Sequence, residues 1–298
     1  MNRKRTRIKR IIMLLILLAA ACAAIYCGFM VYAMHVLRGG AGTGMHSAEG
    51  KTQESGTDGA AETSGIADGS MKNGGLWQEL EVRITAERLR AKGYPDDLVE
   101  FYERHPETRE FVVDYFAKKD NHPYYDLSGE ITKGEVPLLL QWDERWGYEM
   151  YSDEMMALSG CGPTSLAMVG LGLTGDTETF DPLAVARFAV REGCYEDGVG
   201  TSWALFSEGA EMLGLRVHMV APVENAVRDF LDSGNPVICS VGPGDFTEAG
   251  HFIVLTAIDA DGNVTVRDPV SPARSKKTWP VGRILGQVRN LWGYSVED

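Results

Sequence analysis

Apolar and polar positions divide this chain into stretches of different period. Ile11 to Leu37 is apolar throughout except for His35 near its end, and Arg3 to Arg10 before it is strongly basic. About twenty apolar residues span the hydrocarbon core of a bilayer, so this run predicts a single transmembrane helix, with some tilt. The basic flank predicts a cytoplasmic N-terminus and a C-terminal body outside the cell. A cleaved signal is the weaker alternative, suggested by Ala19-Ala20-Ala21 before Cys22. The apolar run continues well past the about 7–15 residues usual for a signal. Gly39 to Gly75 has no apolar period and is rich in Gly, Ser, Thr and Glu. Such a stretch cannot bury enough surface to offset its chain entropy, and it reads as a disordered spacer.

Helical spacing follows. Leu76, Leu80, Val82, Ile84 and Leu89 alternate with charges up to Lys92, and Gly93 ends the run. Tyr94-Pro95-Asp96-Asp97 restarts a helix, with Pro95 early and acids in its first turn. Leu98, Phe101 and Tyr102 form its apolar stripe, and Phe111, Val112, Tyr115 and Phe116 mark another helix beyond His105-Pro106-Glu107-Thr108. These segments predict a small antiparallel helical subdomain packed on the body that serves as scaffold, a substrate-gating lid being the alternative.

The remaining pattern mixes periods. Val136 to Leu140 reads as an apolar strand leading into Gln141-Trp142-Asp143. Leu166-Ala167-Met168-Val169-Gly170-Leu171 reads as a buried helix that starts just before Pro163, where a missing N–H costs nothing. Val217 to Val220, Asn235 to Val241, His251 to Ile258 and Asn263 to Asp268 read as strands, the last two forming a hairpin around Asp259-Ala260-Asp261-Gly262.

The chemistry lies where these elements begin and end. Cys161, in Ser159-Gly160-Cys161-Gly162-Pro163-Thr164-Ser165, falls at the N-terminus of the buried helix. The helix dipole favours a thiolate there, and Gly160 and Gly162 allow backbone and substrate to approach closely. If Ile258 pairs with Asn263, Ile253 lies opposite Asp268 and His251 is its diagonal neighbour on the same face. Diagonal neighbours are about 7–8 Å apart, within reach of a His and an Asp side chain. His251 is then the base and Asp268 the group that orients it. Of the six histidines only His218 is a rival base, since His35, His46, His105 and His122 fall in the apolar run, the spacer and the helical subdomain. Gln141 is the candidate oxyanion donor through its side-chain amide. Trp203, after the helix cap Thr201-Ser202, reads as core, with a place in the cleft wall as the weaker alternative.

Charge and cysteine content narrow the partners. The net charge is −13, from 29 basic and 42 acidic residues. Arg3, Lys4, Arg5, Arg7, Lys9, Arg10 and Arg38 precede the spacer's first acid. Without those seven, 22 basic residues face 42 acidic ones, a net charge of −20. Phosphates are repelled by such a body, which argues against nucleic acid as a partner. Five cysteines occur without a CxxC pair, so neither a metal site nor a cofactor is expected. Cys194 and Cys239 are equally compatible with a disulfide and with free thiols. Asp259, Asp261 and Asn263 lack the sixth-position glycine and distal acid of an EF-hand loop and read as a turn.

Gln141 with Trp142, Asp143 and Trp146, Cys161 in Gly-Cys-Gly-Pro-Thr-Ser, Gly250-His251 opening a strand, and Asp268-Pro269 together resemble the papain-like cysteine peptidases that remove bacteriocin leaders. More closely, the chain resembles the C39-like group that lacks the transporter, over roughly Val136 to Tyr294. The resemblance implies an α+β, papain-like fold, with a helical part carrying the Cys and an antiparallel sheet carrying His and Asp. It implies a Cys161-His251-Asp268 site with Gln141 at the oxyanion hole, acting on a peptide or protein substrate. No GxxxxGK[ST] phosphate loop is present, so the leader substrate is not carried over. Other thiol acyl transfer (transpeptidase, transglutaminase or amidase) and a non-catalytic peptide-binding module are the alternatives. The expected organisation is a basic tail (1–10), transmembrane helix (11–37), disordered linker (38–75), helical subdomain (76–133) and peptidase domain (134–298), anchored in the cell membrane with the last domain extracellular.

Overall fold

The computed structural model describes residues 67–297, with side chains from 75 onward. The transmembrane helix expected over 11–37 and most of the linker expected over 38–75 lie outside the described residues. Among the described residues no helix is long and apolar enough to cross a membrane.

A helical part precedes a mixed α/β body. Helix α1 spans Ala67–Ala91 and α2 spans Asp96–Arg104. The expected linker therefore gives way to helix at Ala67, because elongation from a formed helix costs far less than starting one. Of the stripe expected on α1, Val82 and Leu89 are buried with Ala86, whereas Leu76, Leu80 and Ile84 are exposed. On α2, Leu98, Val99, Phe101 and Tyr102 are buried as their spacing requires. The helix expected around Phe111 is two short pieces, Arg109–Val113 and Tyr115–Lys118. Phe111 and Val112 are buried, but Phe116 is exposed. This core continues into the body through Tyr148, Ala157 and Val270. Phe111 stacks on Tyr148 at 4.1 Å, and the Tyr148 hydroxyl donates to the Phe111 carbonyl.

The body is built on six antiparallel strands: β1 Arg216–Met219, β2 Val237–Val241, β3 His251–Ile258, β4 Asn263–Arg267, β5 Thr278–Pro280 and β6 Val288–Ser295. Their spatial order is β1-β6-β2-β3-β4-β5. Alternate residues of a strand face opposite sides. Ile238, Phe252, Val254, Trp292 and Tyr294 accordingly join one core with helices α3 (Cys161–Thr174) and α4 (Pro182–Arg191). Val237, Cys239, Val241, Ile253, Leu255 and Leu291 join a second core with Val227 and Leu231 of helix α5 (Glu224–Asp232). Every residue of α3 from Gly162 to Gly172 is buried, which fits its all-round apolar sequence. Gly175, in a left-handed conformation, ends it.

Two expected features differ. Val136 to Leu140 forms no strand. The segment runs extended against α3, where the Leu139 N–H donates to Met168 Sδ and the Gly134 N–H to the Gly172 carbonyl. In the hairpin, Ile258 pairs with Val264 rather than Asn263, one residue out of the expected register. An irregularity at Thr256 takes up the extra residue, and Val254 pairs with Arg267. That last pairing is the one the expected register gives, and it stands one residue short of Asp268 on its strand. The bulge thus cancels the slip before the chemistry is reached.

Candidate active site

Cys161 opens α3 and is partly exposed at the floor of a cleft of about 1060 Å³. Burial of α3 fixes its position, because an apolar helix has only one place to go. The first N–H groups of a helix have no intrahelical acceptor and point at whatever lies beyond its end. Gly162 is required by packing: a Cβ there would come within 2.4 Å of the Thr201 hydroxyl. Ser165 ties the helix to the sheet, its hydroxyl donating to the Phe252 carbonyl at 3.4 Å.

His251 is the first residue of β3 and is buried. Its Nε2 lies 2.9 Å from Asp268 Oδ1, and the Cys161 side chain is its other close polar neighbour. With Nε2 committed to the carboxylate, Nδ1 is the nitrogen left for the sulfur. Burial alone disfavours an imidazolium, but Asp268 and Cys161 outweigh it and raise the His251 pKa to about 9. Asp268 is wholly buried. Its Oδ1 also accepts from the backbone N–H of Val270 at 2.9 Å and of Ser271 at 3.2 Å, and its Oδ2 accepts from Arg274 Nε at 2.6 Å. Burial favours its neutral form, but His251 and Arg274 prevail and hold the carboxyl well below the usual carboxylate range.

Gln141 lines the same cleft and is almost fully buried. Its backbone N–H donates to the Pro269 carbonyl at 2.8 Å, which joins it to the Asp268 loop. Its Nε2 donates to the Ala157 carbonyl at 2.6 Å. An amide N–H₂ carries two hydrogens, so one remains for another acceptor. The four residues singled out in the sequence, Cys161, His251, Asp268 and Gln141, are therefore brought together. His218 is not among them: it is exposed on β1, where its Nε2 lies 2.9 Å from the Ser295 hydroxyl.

Other residues at the cleft were not singled out. Trp203, expected in the core more than in the cleft wall, is 46% exposed and lines the cleft. Phe101, Arg104 and His105 come from α2 and the residue after it. The His105 pKa is lowered to about 4, first by burial and then by Arg274. Arg274 itself lines the cleft. Only distance in sequence hid these residues; neither periodicity nor motif connects α2 with the Asp268 loop. Cys194 and Cys239 are free and buried, and burial pushes both thiols up. Among the described residues no cluster of acids, His or Cys could hold a metal ion.

A helix-borne thiol, a histidine and a buried carboxylate thus meet at one cleft. The family model described as "Peptidase_C39 like family" matches residues 133–296, more than half of the chain, and the chain belongs to that family. Two solved structures are similar. One is a Bacillus anthracis protein assigned to the C39-like peptidases, with 17% identity and a TM-score of 0.36, covering 56% of this chain and 98% of that one. The other is the peptidase domain of Streptococcus ComA, a bi-functional ABC transporter involved in a quorum-sensing pathway, with 18% identity and a TM-score of 0.34, covering 47% of this chain and 93% of that one. Membership rests on the family model alone. No curated protein matches the chain.

Proposed function

We propose that the chain is a membrane-anchored cysteine peptidase that cleaves peptide bonds through Cys161, His251 and Asp268. The observation that carries this reading is that the Cys161 thiol at the start of α3 and the His251 ring line one cleft, with that ring 2.9 Å from the buried Asp268 carboxylate. His251 Nδ1 takes the thiol proton, leaving a thiolate–imidazolium pair that Asp268 stabilises. The sulfur attacks the amide carbonyl, and the free N–H of Gln141 and the backbone N–H groups at the start of α3 hold the oxyanion. His251 then protonates the leaving amine, a thioester forms, and water activated by His251 releases the acid and restores the thiol. The apolar run over 11–37 and its basic flank support a body held outside the cell membrane.

The test is to incubate the full chain with a denatured proteome and identify new peptide N-termini by mass spectrometry, with and without added amine acceptors. New termini that vanish in Cys161→Ala support hydrolysis. Products carrying the added amine would replace it by acyl transfer, and identical termini in the variant would end the proposal. For the anchoring, a C-terminal epitope should be accessible to added protease on intact cells; accessibility only after lysis would overturn that orientation.

A further inference from the structure

Asp268 does not hold itself in place. Its Oδ1 is saturated by the His251 ring and two backbone N–H groups, but Oδ2 has a single partner, Arg274 Nε at 2.6 Å. Arg274 is only 18% exposed. It follows Ser271 and Pro272 in a one-turn helix, Pro272–Ser275. The Ser271 hydroxyl accepts from the Arg274 backbone N–H at 3.2 Å and donates to Glu107 of the helical part at 2.6 Å. The Ser275 hydroxyl accepts from the Asp268 N–H at 2.9 Å, and Trp279 Nε1 donates to the Arg274 carbonyl at 3.1 Å. The turn that carries Arg274 is thus pinned on several sides, so its Nε has little freedom. A carboxylate with one oxygen unpartnered could rotate about its Cβ–Cγ bond and swing the other away from the imidazole.

We infer that Arg274 is a positioning residue, which locks the Asp268 carboxylate so that Oδ1 stays in line with His251. The inference rests on the proposed roles of His251 and Asp268 and adds one they do not require. Its signature has a sign. The titratable groups near the His251 ring are Asp268, Cys161 and His105, and Arg274 lies beyond Asp268, on its other oxygen. Arg274 is a cation, so deleting it purely as a charge would raise the His251 pKa. Deleting it as a lock lets Asp268 swing away, which lowers that pKa.

The experiment is a nuclear magnetic resonance titration of the full chain with isotope-labelled histidine rings, the His251 signal being assigned by its loss in His251→Gln. Arg274→Met should move the His251 titration down by about one pH unit or more. Arg274→Gln should restore it to the wild-type position or above, because Gln Nε2 occupies the place of Arg Nε along the side chain and can donate the same hydrogen bond without the charge. A titration that stays put or rises in Arg274→Met overturns the inference, whatever happens to thermal stability. Should the Met variant fail to fold, a lowered titration in folded Arg274→Gln overturns it equally. Alkylation of Cys161 by iodoacetamide in the wild-type samples reports on the proposed function separately: an unreactive Cys161 would sink that reading, whereas a reactive Cys161 with an unresponsive titration would sink only the role of Arg274.

Discussion

The two sides of the cleft hold their chemistry in opposite ways. Cys161 is placed by α3, an apolar helix whose turns are buried on every side and whose main polar tie to the sheet is one long hydrogen bond from Ser165. His251 and Asp268 are placed by polar contacts: their own ion pair and two backbone N–H groups, all buried, and a largely buried arginine. Apolar packing is non-directional and tolerates change by degrees, whereas a buried polar network is strong when complete and costly when one member is lost. A thiol needs only to be delivered to a helix end. An imidazole that must change protonation without moving needs directional partners.

That contrast can be broken in order of effect. Cys161→Ala should abolish turnover, a loss of at least about a thousandfold, with an unchanged melting temperature, because the thiol is an attachment to its helix. Measured hydrolysis and calorimetry decide it; a large stability loss would mean that Cys161 is part of the packing. Asp268→Asn should fail on both counts. It leaves Arg274 facing an amide without its counter-charge, and breaking a buried pair costs about 3–5 kcal/mol. The His251 titration should also fall from about 9 toward its ordinary value of 6.5. On the apolar side, Gly170→Ala should cost about 1–3 kcal/mol, since a Cβ there would meet the Phe180 ring at 1.9 Å. The folded fraction should keep a normal His251 titration, and a shifted one would show that the two sides are coupled.

The pH dependence is smaller. The folded His251 pKa is raised, so its contribution to stability is complete below about 6.5 and is lost as pH rises through about 9. The melting temperature should decline over that window in the wild type and more weakly in Asp268→Asn; equal slopes would mean that other groups dominate. The smallest effect is expected for Arg216→Ala, whose partner Glu297 is exposed, at within about 1 kcal/mol by denaturant unfolding.

What the sequence revealed follows the same division. The Cys161 helix was legible because an all-apolar run beginning at Gly-Cys-Gly-Pro admits little else. His251 and Asp268 were legible as strand ends, although through a pairing at Ile258 that is off by one residue and rescued by the bulge at Thr256. A register near a turn depends on turn geometry, which the residues Asp259 to Gly262 did not determine. The segment Val136 to Leu140 looked like a strand because apolar runs of that length do not distinguish a ladder from packing against a helix. Arg274, Glu107 and His105 were out of reach: Glu107 and Ser271 are 164 residues apart, and only the folded chain joins them. For Trp203 the sequence favours core over cleft wall, since an aromatic side chain after a helix cap suits both, and the structure places it in the wall.

If its setting activates Cys161 as a nucleophile, iodoacetamide labelling of the full chain across pH will expose it. Mass spectrometry would follow alkylation at Cys161, Cys194 and Cys239. Cys161 should react far faster than the two buried cysteines and still react well below pH 8, and His251→Gln should remove this reactivity at low pH. A Cys161 no more reactive than Cys194, or one indifferent to the loss of His251, would contradict that activation.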